Sequence, residues 1–154
     1  MKKLILLIAL LILSTPAFAD VSVSVTNAWA RPTLNGPLVS AVYLDIKNTG
    51  KTPVELTSVT SSAGTASLHE SMQQNGMVHM QSLESVKIAP GDTVAFAPGH
   101  KHIMLDDLKS PLKAGNKIRL TLGFKQGSTT VDVPVSDKAP TTATMPAGMT
   151  MDHH

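Results

Sequence analysis

The dipeptide Asn75-Gly76 lies between two runs of strand length, residues 67–72 and 77–83. Asn-Gly accepts the positive φ of both central positions of a type I′ turn, the strongest short-range signal for a β-hairpin. A two-residue loop fixes the register. Gln74 then faces Met77, Met72 faces His79, Ser71 faces Met80 and His69 faces Ser82. Side chains alternate between the faces of a strand. His69, Ser71, Met80 and Ser82 therefore share one face, and Met72, Met77 and His79 share the other. His69 and Met80 become diagonal neighbours, roughly 7–8 Å apart at the backbone. A slip of one residue would exchange the faces and bring Met72 and His79 forward instead.

The rest of the chain has the same period. Residues 21–25 read V-S-V-S-V, a half-buried strand. Residues 27–32 lead into a loop holding Asn35-Gly36-Pro37. Further strands are expected over 38–46, 54–59, 93–97, 102–105, 116–124 and 129–135, with turns at Asn48-Thr49-Gly50, Pro90-Gly91-Asp92, Pro98-Gly99 and Gln126-Gly127-Ser128. No amphipathic helix of useful length interrupts them. Short strands with turn signals every eight to twelve residues imply an all-β sandwich or barrel of about 7–9 strands with Greek-key connections.

The ends differ from this middle. Lys2 and Lys3 precede an apolar run over 4–13, and Ala17-Phe18-Ala19 forms an A-x-A cleavage site. Residues 1–19 thus read as a secretory signal cleaved after Ala19, too short for a stable span. The expected mature chain keeps 135 of 154 residues, enough for one domain over 20–136. It is expected to be exported to the periplasm, soluble and monomeric. Cleavage removes two of 13 basic residues, leaving 11 against 11 acidic ones. A neutral chain with four aromatic residues, the fifth (Phe18) lying in the leader, and no basic run gives no sign of nucleic-acid binding. There is no cysteine, so no disulfide and no lipid-anchor cysteine. Residues 137–154 turn Pro/Thr/Ala-rich and read as a disordered tail.

Imidazole and thioether recur where the strands converge. His102 and Met104, at i and i+2, share one face of their strand, with Lys101, Ile103 and Leu105 on the other. His100 has the parity of His102 but follows Gly99 at the start of the strand. His69, Met80, His102 and Met104 are the proposed ligand set. Thioether selects soft Cu(I), and imidazole completes a site without thiolate. All four ligands are neutral, and protons compete for imidazole below the ordinary histidine pKa of about 6.5. The plain alternative is that the methionines fill the core and the histidines are surface or hydrogen-bonded residues.

The spacing H-x10-M-x21-H-x-M from His69 to Met104 resembles the signature of the PCu(A)C family of periplasmic copper chaperones. Ala28-Trp29-Ala30-Arg31-Pro32, His69-Glu70, Gly76-Met77, Pro90-Gly91, Pro98-Gly99 and His102-Ile103-Met104-Leu105 agree with it, as do Leu108-Lys109 and Pro111-Leu112. The resemblance covers residues 28–135. It implies a cupredoxin-like sandwich, Cu(I) held by His69, Met80, His102 and Met104, and Met72 as a loop neighbour of the site. It also implies delivery of copper toward the CuA subunit of cytochrome c oxidase, directly or through a Sco-type intermediary. Asp106-Asp107 departs from the pattern, being more acidic than the family leads one to expect.

Ligand exchange without turnover is the expected activity, so the chain is not read as an enzyme. A blue-copper carrier needs a His2Cys site, which a chain without cysteine does not provide. Copper buffering for tolerance and a metal-free interaction sandwich remain as alternatives. Met145, Met149, Met151, His153 and His154 would supply a second copper site, one that also suits Cu(II) through imidazole. The competing reading of that segment is a plain exposed linker.

Overall fold

A computed structural model describes residues 21–33 and 36–140. The strands are β1 (Val23–Ala30), β2 (Ser40–Asn48), β3 (Val54–Ser61), β4 (Thr65–Gln74), β5 (Met77–Ser82), β6 (Val86–Ile88), β7 (Thr93–Phe96), β8 (Lys101–Asp106), β9 (Lys117–Phe124) and β10 (Gly127–Pro134). They form a six-stranded sheet, β1-β2-β7-β8-β4-β5, and a four-stranded sheet, β10-β9-β3-β6. This is the expected cupredoxin-like sandwich, with no helix among the described residues. The strand count exceeds the expected seven to nine because of β6. Its three residues, V-K-I, are too few to display a period in the sequence.

Alternation decides which side chains fill the sandwich. Val42, Leu44 and Ile46 of β2 point inward and are almost fully buried, as are Ile103 and Leu105 of β8. Leu56 of β3 and Leu120 and Leu122 of β9 meet them from the second sheet. Each such side chain stabilises the fold by about 1.5–3 kcal/mol. One polar group joins the core. Asn48 is fully buried, and its Nδ2 donates to the carbonyls of Thr52 (2.8 Å) and Ile88 (3.0 Å), while its Oδ1 accepts from the Gly50 amide (2.9 Å). Because Ile88 belongs to β6, this amide ties the two sheets together.

The first strand is longer than its sequence pattern implies. Trp29 and Ala30 do not lead into a loop but pair with Tyr43 and Val42. The pairing register shifts between Thr26 and Trp29, where Asn27 takes a φ of +54°. A bulge of this kind breaks the period-2 pattern and then restores it. The Asn27 amide anchors it by donating to Asp45 Oδ2 at 2.7 Å. Beyond the bulge Ala30 enters the core, and Trp29 lies on the outer face with its ring 4.9 Å from that of Tyr43.

The hairpin has the expected register. Gln74 pairs with Met77, Met72 with His79, Ser71 with Met80 and His69 with Ser82. Asn75 and Gly76 take φ values of +52° and +74°, as a type I′ turn demands. Every residue of β5 is exposed. The leader over 1–19 and the methionines and histidines from Met145 to His154 lie outside the described residues.

Candidate metal centre

The pairing of β4 with β8 brings the two halves of the sequence pattern together. His69 pairs directly with His102, and Ser67 with Met104. Met104 in turn pairs with Ala41 of β2. Ile103, Leu105 and Leu68 occupy the core face, so His102, Met104 and His69 lie on the outer face of the six-stranded sheet. Met80 shares that face through its pairing with Ser71. The four residues singled out in the sequence therefore sit on one face of three adjacent strands, β8, β4 and β5.

An open groove of ≈ 320 Å³ lies over this face. Met80, Ser71, His102 and Met104 line one side, and Arg31, Val39, Ala41 and Tyr43 are among the residues opposite. His69 stands beside the groove, its ring stacked against that of His102 with centroids 5.9 Å apart and planes 24° apart. Exposure is graded across the site. His102 is 5% exposed, His69 and Met104 are half-buried, and Met80 is 53% exposed.

The hydrogen bonds decide which ring nitrogens are free. His102 Nδ1 lies 3.1 Å from the carbonyl oxygen of His100. A carbonyl only accepts, so Nδ1 carries the proton and Nε2 keeps its lone pair. The same oxygen accepts from the Ser71 amide at 3.1 Å, so one carbonyl both orients the imidazole and tethers β4. The turn at Pro98-Gly99 places it there. Gly99 takes a φ of +82°, and the amides of His100 and Ala97 close the turn at 3.0 and 2.9 Å. In the second ring, His69 Nε2 is 3.0 Å from Ser67 Oγ, while Nδ1 is buried without a hydrogen-bond partner. A buried polar atom left unsatisfied costs about 1–3 kcal/mol. In the tautomer whose Nε2–H donates to Ser67 Oγ, Nδ1 holds a lone pair, and coordination of a metal ion there would relieve that cost.

The donors define the kind of ion that fits. No group of three or more His, Asp or Glu residues converges as a metal site among the described residues. A hard ion or zinc would need such a group. Two imidazoles with two neutral thioethers suit a soft monovalent ion. Glu70 is held away from this role by its ion pair with Lys101, 2.7 Å on the reverse face.

Several expectations change in detail. Met72 is not in a loop. It lies within β4 on the face opposite the groove, opposite His79, because a strand's parity leaves it no other side. His100 is exposed in the turn and contributes its carbonyl to the site. Asp106 ends β8 and Asp107 takes a φ of +49°; neither lines the groove. The far wall is not legible in the sequence. Arg31, whose guanidinium carbon is 5.8 Å from the centre of the Tyr43 ring, and Tyr43 itself reach the groove only through the pairing of β2 with β8. The outward parity of Tyr43 between Val42 and Leu44 is the one available signal.

Known proteins share this fold. A family profile described as "Putative lipoprotein LpqE-like" matches residues 23–135. A protein of Leifsonia xyli described as "Putative lipoprotein Lxx21020" is 42% identical over 126 residues, covering 80% of this chain and 75% of its own. The uncharacterized protein RP573 of Rickettsia prowazekii is 31% identical over 128 residues, covering 79% and 71%. Among solved structures, the apo PCuAC domain from PmoF1 aligns with a TM-score of 0.63 at 28% identity, covering 79% of this chain and 98% of that domain. The copper-bound PCuAC domain from PmoF2 has the same TM-score at 24% identity, covering 77% and 96%. CuI-DR1885 from Deinococcus radiodurans aligns at 0.55 with 26% identity, covering 73% and 78%. The chain belongs to the LpqE-like family, which is the family of PCuAC domains.

Proposed function

We propose that this protein is an exported copper chaperone that binds one Cu(I) through His69, Met80, His102 and Met104. The reading rests above all on one observation. Two imidazoles, each with one nitrogen that has no hydrogen-bond partner, share a sheet face with two thioethers, and three of the four side chains line one open groove with His69 beside it. The relatives support it: a PCuAC domain from PmoF2 is described as copper-bound and DR1885 as its CuI form. Export is supported by the leader-like N-terminus and by the lipoprotein names of the family and of the Leifsonia relative.

The chemistry is ligand exchange. Neutral ligands leave the site with the charge of the ion, which favours Cu(I) over Cu(II). His102 and His69 form the orienting half, and Met80 forms the half that an acceptor reaches first. An incoming thiolate displaces the Met80 sulfur, and the remaining ligands follow. Delivery runs toward the CuA subunit of cytochrome c oxidase or a Sco-type intermediary. The tail methionines and histidines from Met145 to His154 add a second site that also takes Cu(II).

Competitive titration of the metal-free protein with Cu(I) and Zn(II) tests the reading, with X-ray absorption to identify the ligands. One tightly held Cu(I) with mixed nitrogen and sulfur scattering is expected. A preference for Zn(II) would refute it. Truncation after Ser136 should remove only the second equivalent of copper.

A further inference from the structure

We propose that the free edge of β5 is the docking edge for the copper acceptor, which adds an extended, uncharged segment as a seventh strand with its soft donor opposite Met80. The proposal rests on the chaperone reading above and names how its partner engages.

The argument begins with backbone direction. In a two-residue hairpin the residues flanking the turn form a hydrogen-bonded pair, and such pairs alternate along the ladder. Gln74 with Met77, Met72 with His79 and Glu70 with Gln81 are then the bonded pairs. Two observed bonds fix this parity. The Leu83 amide donates to the Leu68 carbonyl at 2.9 Å, and the Ser71 amide turns away from β5 to the His100 carbonyl. The amides and carbonyls of Val78, Met80 and Ser82 must therefore point off the sheet. No strand or loop among the described residues pairs with them.

These are also the residues whose side chains share the groove face. The backbone edge and the metal face coincide in the same residues. A strand bonded to Met80 would place its own residue about 5.5 Å away, Cα to Cα, with the side chain on the same face. That is the approach a displacing donor needs. Copper stays Cu(I): the bond to the Met80 sulfur breaks as the bond to the incoming sulfur forms, and the thiol proton passes to solvent.

Comparison of the edges singles out β5. β1, at the other side of the same sheet, carries the Asn27 bulge and is bridged by Val135 and by the Ser136 amide at 2.9 Å. In the smaller sheet β10 ends in Pro134 with Asp132 on its edge, and β6 has three residues centred on Lys87. Bulges, prolines, charges and short length are the usual protections of an edge. The six residues M-V-H-M-Q-S have none of these, and Val78 is 70% exposed. An edge without carboxylate, lysine or arginine suits a neutral segment, bound through its main chain.

The test uses the full protein and an acetylated, amidated Thr-Val-Thr-Cys-Thr-Val-Thr peptide. Its central Ser analogue and N-acetylcysteine amide serve as controls. With metal-free protein, the Ser analogue should slow amide exchange at Val78, Met80 and Ser82 and leave Met77, His79 and Gln81 unchanged. Val78→Pro removes one outward amide without touching a ligand, and an edge strand tolerates proline there. It should slow copper transfer to the Cys peptide by about three- to tenfold, the worth of one hydrogen bond. Transfer to N-acetylcysteine amide should be unchanged. Val78→Lys, which charges the edge, serves the same purpose if the proline variant does not fold. Equal slowing for both thiols, or protection elsewhere, overturns the proposal, as does self-association through β5 that excludes the peptide. Failure to retain copper with the amide pattern intact would instead sink the chaperone reading, and with it the copper acceptor as occupant, while leaving β5 as an edge that takes up a strand.

Discussion

β8 and β5 carry the two ends of the proposed donor set and could hardly be built more differently. β8 is sandwiched between β2, β7 and β4, with Ile103 and Leu105 fully buried and His102 nearly so. β5 has one neighbour, and all six residues are exposed. The buried strand fixes a ring whose tautomer is already set by the His100 carbonyl. The exposed strand offers a thioether that solvent and partners can reach. A storage site would gain from burying all its ligands. A site that must release its ion gains from this division, because exchange begins at the ligand with the fewest restraints.

The division makes opposite predictions for the two strands. Ile103→Ala should destabilise the fold by about 2–5 kcal/mol, and it should weaken copper binding as well because His102 and Met104 flank it. Val78→Ala on β5 should stay within about 0.5 kcal/mol. Denaturant unfolding of both variants measures the contrast; comparable losses would remove it. At the ligands themselves, His102→Ala should weaken Cu(I) binding by more than the roughly 10- to 100-fold cost of losing an outer-shell partner. Met80→Ala should fall within that range and release copper faster, since another donor can reach the exposed position. Chelator competition and stopped-flow release measure both. A Met80→Ala defect as deep as that of His102→Ala would mean that the exposed ligand anchors the ion.

Much of this can be read from residues alone because the informative signals are local. Asn75-Gly76 determines its own turn, and the turn determines which side chains of β4 and β5 share a face. The i, i+2 spacing of His102 and Met104 does the same for β8. What is not legible depends on contacts between distant segments. The direct pairing of His69 with His102 needs β4 beside β8, and the Arg31 and Tyr43 wall needs β2 beside β8. The His100 carbonyl is invisible to any side-chain pattern. Trp29 reads as the approach to a loop because the bulge at Asn27 breaks the alternation by which strands are recognised.

Two glycines sharpen the comparison at smaller scale. Gly64 lies against β8: a Cβ there would come within 2.5 Å of the Asp106 carbonyl oxygen and 3.1 Å of that of Asp107. Both obstacles are backbone, so Gly64→Ala must move the end of β8, at about 1–3 kcal/mol. A Cβ added at Gly76 would meet nothing within 4 Å, and only the φ of +74° resists substitution. Gly76→Ala should cost about 1–2 kcal/mol, the penalty of the left-handed region alone. Thermal melts rank the two, and copper affinity should follow Gly64→Ala more closely than Gly76→Ala.

The smallest effect belongs to the sheet that carries none of the four proposed donors. Glu55 of β3 accepts a hydrogen bond from Lys125 Nζ at 2.6 Å. That bond, with a second from Ser85 and the nearby positive charges of Lys125 and Lys87, holds the Glu55 carboxyl below its ordinary value near 4.5, against the opposing effect of burial. A carboxyl whose pKa is lower in the folded than in the unfolded chain adds stability above the unfolded value. The contribution fades as pH falls below about 4.5 through the folded value. Glu55→Gln should therefore flatten the acid side of the stability profile and leave copper affinity at neutral pH unchanged. Melting temperatures from pH 7 to pH 3 check the first part, and chelator competition checks the second. Parallel acid profiles would show that the ion pair is idle. A change in copper affinity would be more instructive, because it would couple the four-stranded sheet to the proposed site, whose four residues all lie on its partner sheet.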